Sequence, residues 1–368
     1  MSTVQKPPAK PSQAKPNPKP RRSAFREWID SIVFAVVAAT LIRWLFLEAF
    51  VVPTPSMEGS ILVGDYIMVS KLHYGTRLPR TPLQLPLMHQ KIWGTEIPSY
   101  LDWLQLPYYR LPGFSEVKRG DVVVFNYPKE FQYPTDVKTF WVKRCVGLPG
   151  DSIEVRNSQL YANGTAMPNP EGMQFSYLVG TQSGINERTF RKLKIEEHTP
   201  IQGGYLVMTT PGKAQSLQSL PTVDTLIWGQ HPQPQIERDI YPGNNQSEWN
   251  RDFFGPLWIP KRGVTIPLNE ETLALYGPVI SQYEGNKEVE IGEETLTIEG
   301  KKLTSYTFRQ DYFFMVGDNR HNSEDSRFWG FVPEDHVVGK PLLIWLSLDA
   351  KADLFNKVRW NRLFQLIH

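Results

Sequence analysis

A mainly β protein with a large β-rich insertion, preceded by one N-terminal transmembrane helix, is what this 368-residue sequence predicts. Three observations carry that expectation. Thirty-one prolines and 26 glycines cut the chain into short runs with many turns. Several of these runs are rich in β-branched and aromatic residues and bounded by Gly-Asp, Pro-Gly or Asn-Gly. One apolar stretch near the N-terminus is long enough to be read as a membrane span.

Residues 1–27 read as a disordered basic tail, rich in Pro, Lys, Ala, Gln and Ser. Residues 1–26 hold seven bases and no acids, whereas the remainder has five more acids than bases. A basic head on a mildly acidic body points to a cytoplasmic tail beside a membrane and away from a nucleic-acid-binding protein. The anchor is expected over 28–52. Its clean run, Ser31 to Ile42, falls short of the roughly twenty apolar residues of a spanning helix. Counted from Trp28 to Val52 it suffices, with Arg43 snorkelling to an interface and Trp28 and Trp44 as anchors. Apolar sequence continues past Ala38 and Ala39 with no polar mature start, which favours an uncleaved anchor over a signal peptide or a buried core helix. The preceding bases predict an N-terminus inside and a body outside.

Pro53 and Pro55 end the apolar segment, because proline lacks a donor and restricts its predecessor. Ser56 therefore falls close to the outer membrane face. Residues 53–156 are expected to form the first part of the core. Ile61 to Val69 reads as strand, Gly-Asp turn, strand. Residues 75–116 are an irregular aromatic insertion with Trp93, Tyr100, Trp103, Tyr108, Tyr109 and Phe114. Two readings stand for it: rings at lipid headgroup depth, or a loop folded over the core. Val122 to Phe125 and Phe140 to Val146 are strands. Alternation in the second puts Trp141, Lys143 and Cys145 on one face and Val142, Arg144 and Val146 on the other. Ser152–Val155 and Gln159–Ala162 read as a hairpin. Residues 157–310 form the β-rich insertion, with a second hairpin-like stretch over Val289–Phe308. Residues 311–350 complete the core, through a strand at Tyr312–Val316 and a final one from Val337 to Leu348. Residues 351–368 are a basic and apolar tail.

A serine hydroxyl needs a base to become a nucleophile. Histidines at 73, 89, 198, 231, 321, 336 and 368 leave a Ser-His-Asp triad open by count, but none has a nucleophile-elbow or triad context. Lysine serves if it is neutral, and burial lowers its pKa. Lys143 between Trp141 and Cys145 suits that demand, and Ser-Lys pairs are a variant of the triad logic. Each piece alone has a plainer explanation. Strand lysines are usually solvated, Gly-Asp-Asn is usually a turn, and Asp325 with Arg327 is usually a structural pair worth little. The single cysteine, Cys145, excludes an internal disulfide framework and a cysteine metal cluster. Without a Gly-rich phosphate loop or a spaced His/Cys set, no metal or nucleotide cofactor is expected.

Taken together, four blocks resemble those of the bacterial type I signal peptidases. They are Ser56-Met57 after an anchor, Arg119-Gly120-Asp121-Val122-Val123-Val124-Phe125, Val142-Lys143-Arg144-Cys145-Val146-Gly147-Leu148-Pro149-Gly150-Asp151, and Gly317-Asp318-Asn319 continuing to Arg327. The resemblance implies a coiled antiparallel β-sheet catalytic core in a membrane-bound serine endopeptidase. Ser56 would be its nucleophile and uncharged Lys143 its general base. Thr54 would help the Ser56 N–H hold the oxyanion, a kind of donor worth about 3 kcal/mol. Ser323 would orient the lysine, while Met57, Arg144, Asp318, Asn319, Asp325 and Arg327 would brace the site. The implied partners are the lipid bilayer and exported preproteins with small residues at −1 and −3, the body lying on the periplasmic side of a bacterial inner membrane. Pro55 stands where many members have glycine, Glu58-Gly59-Ser60 replaces the usual residues after Ser-Met, and His321 replaces an aspartate. The competing readings are a self-cleaving Ser/Lys protein and a membrane-anchored binding protein without activity.

Overall fold

The computed structural model describes residues 23–243, 248–350, 352–353 and 356–368. The basic tail over 1–22 lies outside them. Helix α1 (Ala24–Leu45) is capped by Ser23, buries none of its residues, and is long and apolar enough to cross a membrane. The anchor expected over 28–52 is corrected at both ends, since the helix starts earlier and stops at Leu45. Leu47–Val51 is instead strand β1, paired antiparallel with β2 (Asp65–Ser70) from Leu47↔Ser70 to Val51↔Tyr66. Glu48 is the physical reason. A carboxylate is costly in hydrocarbon, and here it is buried in protein between Arg43 (2.5 Å) and Lys71 (2.8 Å).

The main sheet is antiparallel and eight-stranded. Its path runs β1, β2, the strand Val337–Ser347, β3 (Val122–Asn126), β4 (Phe140–Gly147), Tyr312–Val316 and Val332–Pro333, with Gln365–Leu366 beside Val337–Ser347. Register shifts at Tyr66/Ile67, Met68/Val69, Val337/Gly339 and Phe314/Met315 add twist and curl the sheet. Pro341 sits mid-sheet at one of these shifts, opposite Val69, where a missing N–H is tolerated. Ile61–Val63, expected as a strand, is a turn, because the Asp65 carboxylate accepts from Leu62 N at 2.8 Å and folds the segment back.

The expected alternation of β4 divides two apolar layers. Val52, Met57, Ile61, Ile67, Val69, Val122 and Val124 pack on one side with Val142, and Val123, Phe125, Cys145, Phe313 and Met315 on the other with Trp141. The insertion is β-rich as expected. The hairpin Ser152–Arg156/Gln159–Ala162 pairs with Phe254–Trp258, and Thr225–Trp228, Phe175–Gly180, Gly204–Thr209 and Glu197–Ile201 form a separate sheet. Short strands between Val289 and Thr307 complete it. The insertion also holds a helix the sequence reading missed, Glu270–Tyr283, which buries Leu273, Tyr276, Val279 and Ile280 against Phe254, Phe308 and Phe331. Residues 75–116 form an irregular excursion bridged at 77↔110, 84↔100 and 91↔98. Its rings at Trp93, Trp103 and Phe114 are more than 70% exposed, so they do not cover the core.

Candidate active site

Ser56 lies on the single 3-10 turn Pro55–Met57 that follows β1. Pro55 occupies its first position, where a fixed φ is favourable and no donor is lost. Met57 is fully buried beneath, pinning the turn to the apolar layer of β2 and β3. Lys143 comes from β4, and its Nζ reaches Ser56 Oγ at 2.6 Å. The amine lies 3.2 Å from the Val142 carbonyl and 4.9 Å over the Trp141 ring, and the side chain is 2% exposed. Burial pushes the Lys143 pKa down from 10.5 to about 8, although the carboxylates of Asp325, Glu324 and Asp318 pull it the other way.

The Gly317–Arg327 segment holds the serine turn from behind. Asn319 N donates to Ser56 O at 3.1 Å, and Asn319 Nδ2 to Pro55 O at 3.2 Å. Gly317 is required there, because a Cβ would meet Ser323 Oγ at 2.2 Å and Ser56 O at 2.5 Å. Asp318 accepts from Arg144 Nε and Nη2 at 2.8 and 2.7 Å, and from Ser60 Oγ at 2.5 Å. It thereby ties β4 to the residues after the serine. Asp325 and Arg327 form a second buried bidentate pair, both contacts at 2.8 Å. Burial pushes the Asp325 carboxyl up, but the Arg327 guanidinium outweighs it and holds the acid below its usual range. Asp325 also accepts from Gly317 N at 3.1 Å. This pair therefore fixes the backbone that carries Asp318 and Asn319.

A cleft of about 640 Å³ opens at the Ser56–Lys143 pair. It lies between Ala49–Ser56 on one side and Thr139–Lys143 on the other. The sequence of this chain matches the family model "Signal peptidase, peptidase S26" over residues 25–219 and 261–346, more than half its length. The chain belongs to the signal peptidase S26 family. It is similar to the signal peptidase I of Helicobacter pylori strain J99, 27% identical over 351 residues, covering 92% of this chain and 91% of the relative. Against the signal peptidase I of Rickettsia massiliae the figures are 28% over 327 residues, 89% and 81%. For that of Buchnera aphidicola from Acyrthosiphon pisum they are 25% over 343 residues, 93% and 82%. As a signal peptidase I-type enzyme the chain is a membrane-associated serine endopeptidase acting on preproteins. It sits at the bacterial inner membrane with one N-terminal apolar helix among the described residues.

Of the residues singled out in the signal peptidase motifs, the structure brings Ser56, Lys143, Asn319, Asp318 and Arg144 into one connected group. Thr54 is exposed on the cleft wall, without a cap bond to the turn. Ser323 does not hydrogen-bond Lys143. Its hydroxyl lies 3.5 Å from the Glu324 carbonyl and helps hold down the Asp325 acid. The sequence reading missed how closely the insertion holds this site. Glu197 accepts from Asn319 Nδ2 at 3.1 Å and from Asn322 Nδ2. Gln174 pairs by backbone with Asp318 and Arg320 at 3.0 and 2.9 Å. Gly172 packs so closely on Gly59 that a Cβ at Gly59 would meet its carbonyl at 1.9 Å. His321, left unassigned by the sequence, bridges Ser176 (Oγ to Nδ1, 2.7 Å) and Asp252 (Nε2 to Oδ1, 2.9 Å) and so joins the insertion to the Gly317–Arg327 segment. No spacing in the sequence marks these contacts. Only Gly59 and Gly172, as small residues, hint at a close approach.

Proposed function

We propose that Ser56 and Lys143 are the catalytic dyad of this signal peptidase. The observation that carries the proposal is the 2.6 Å approach of a buried lysine, its pKa pushed down to about 8, to the serine hydroxyl. Neutral Lys143 takes the Ser56 proton as Oγ attacks the scissile carbonyl. The Ser56 N–H and the Thr54 hydroxyl receive the oxyanion. Collapse expels the amine of the mature protein, which leaves with the proton from Lys143, and an ester remains on Ser56. Lys143 then deprotonates water, whose attack releases the signal peptide carboxylate and restores the serine. Asp318, Arg144, Asn319, Asp325 and Arg327 keep the two reacting atoms in register, and Ser323 acts on the lysine through Asp325 rather than directly.

Substrate direction follows from the anchor. β1 runs from the end of α1 toward Ser56 and uses one edge for β2, and no strand among the described residues pairs with its other edge. A signal sequence enters from the membrane side, so its residues before the cut run alongside Ala49–Pro53 in the same direction, as an added strand. The narrow apolar walls there select small side chains at −1 and −3. The basic tail before α1 keeps the N-terminus cytoplasmic and the body periplasmic.

The test is cleavage of a preprotein by the full chain in detergent, with Ser56→Ala and Lys143→Ala. Loss of product in both, with unchanged circular dichroism, supports the dyad. Undiminished cleavage by Lys143→Ala sinks it.

A further inference from the structure

The sequence left His89 without a role, as one of seven histidines. It belongs to the irregular excursion 75–116, remote in the chain from both dyad residues, yet it lines the cleft. Its ring lies 4.9 Å from that of Phe140 at an interplanar angle of 32°, and Phe140 lies 4.7 Å from Phe50. Phe50 comes from β1 and Phe140 from β4, so the two sides of the cleft meet at this aromatic group. Three hydrogen bonds pin the backbone at His89. Gln84 Nε2 donates to the carbonyls of Met88 (3.0 Å) and His89 (3.3 Å), and Ser99 Oγ donates to the His89 carbonyl. The excursion therefore delivers this ring to a fixed place. Its Nε2 is buried with no hydrogen-bond partner among the described residues. Such an orphan is a cost that a plain packing residue, a leucine or phenylalanine, would avoid. Burial and nearby Arg43 pull the imidazole pKa down, against the carboxylates of Glu48 and Glu130 and a hydrogen bond with the Lys138 backbone.

Resting on the dyad reading above, we propose that His89 is a specificity-determining residue: it closes the membrane-proximal end of the cleft and limits the size of the side chain accepted at −3. The distances fit. Phe140 precedes Lys143 by three residues on β4, about 10 Å along a strand. In an extended substrate with −1 at Ser56, the −3 residue lies about 7 Å upstream and faces the same side as −1. A methyl or isopropyl group at −3 ends short of the ring, whereas a longer side chain meets it. The narrowness at −3 thus comes partly from the excursion and not wholly from the sheet.

The experiment uses the full chain in detergent and a preprotein series with Ala, Val, Leu or Phe at −3, and a second series varied at −1. The readout is the ratio of kcat/KM for each substrate to that for the Ala substrate, so a loss of folded enzyme cancels. In His89→Ala the Leu/Ala ratio at −3 should rise about tenfold, and in His89→Trp the Val/Ala ratio should fall by a similar factor. Ratios at −1 should stay as in the parent. Unchanged −3 ratios in both variants overturn the inference, as does an equal shift at −1 and −3, which would mark a general structural effect. Ser56→Ala is run beside them. If it still cleaves, the dyad reading fails and takes this inference with it; if it is inactive and the −3 ratios do not move, only the role of His89 fails.

Discussion

Replacing Lys143 by methionine should stabilise the protein while abolishing cleavage. The lysine ordinarily titrates at 10.5, and in the folded chain at about 8. At ~1.4 kcal/mol per pH unit, holding its charged form in the fold costs about 3 kcal/mol. The sign follows from proton counts. Between pH 8 and 10.5 the unfolded chain keeps a proton that the folded chain has released, so stability rises with pH across that window. Below pH 8 the full cost is present. Methionine keeps the length, removes the charge, and forfeits the contact with Ser56 Oγ at 2.6 Å, worth about 1 kcal/mol. The variant should therefore gain about 2 kcal/mol over the parent at pH 7, and the gain should vanish or reverse by pH 10.5. Urea unfolding of both proteins in the same detergent, followed by tryptophan fluorescence at several pH values, measures the difference. A gain that does not depend on pH would refute the argument that burial of this amine is what the fold opposes.

Three further outcomes are expected. First, kcat/KM for a preprotein should rise with pH through an ionisation near 8, the folded value of Lys143; a limb centred near the ordinary lysine value would count against the assignment. Second, burial beside the carboxylates of Glu196 and Glu197 lifts Glu58 from 4.5 to about 7, so the folded chain holds the extra proton and stability falls as pH rises between those values. Glu58→Gln should raise the Tm at pH 8 and leave it little changed at pH 4, which a thermal scan at the two pH values checks. Third, in the full chain reconstituted with brominated lipid, Trp93 and Trp103, 74% and 73% exposed, should be quenched. The double change Trp93→Phe and Trp103→Phe should lower the quenched fraction, and no change in that fraction would place the excursion away from lipid.

The legible parts of the sequence were those where the needed residues are local. Val142-Lys143-Arg144 and Gly317-Asp318-Asn319 are contiguous, and β alternation alone put Lys143 beside Trp141 and Cys145. The end of the membrane segment was misjudged because Ala49 to Val52 is as apolar as lipid-facing sequence. Glu48 was the signal, since a buried acid needs partners that only the folded chain supplies. The helix Glu270–Tyr283 was concealed by Gly277-Pro278. Its start was nonetheless written in Asn269 and Thr272, which form a reciprocal cap, and in Leu273, Tyr276 and Ile280 at helical spacing. The hold of the insertion on the site was not readable at all. Gln174 and Ser176, Glu197, and Asp252 reach the site from three separate parts of the insertion, and so few residues spread over so much sequence leave no period.

Between α1 and β1 stands one residue, Phe46, and Arg43, Glu48 and Lys71 close an ion-paired clasp across it. A helix seated in a bilayer therefore passes its depth directly to the strand that leads to Ser56. If Ser56 is the nucleophile proposed above, it rides at a set height above the lipid, like a blade fixed to a fence. On that reading substrates would be gauged by length. A signal helix whose apolar span is a turn too long would then carry its cleavage site past the blade.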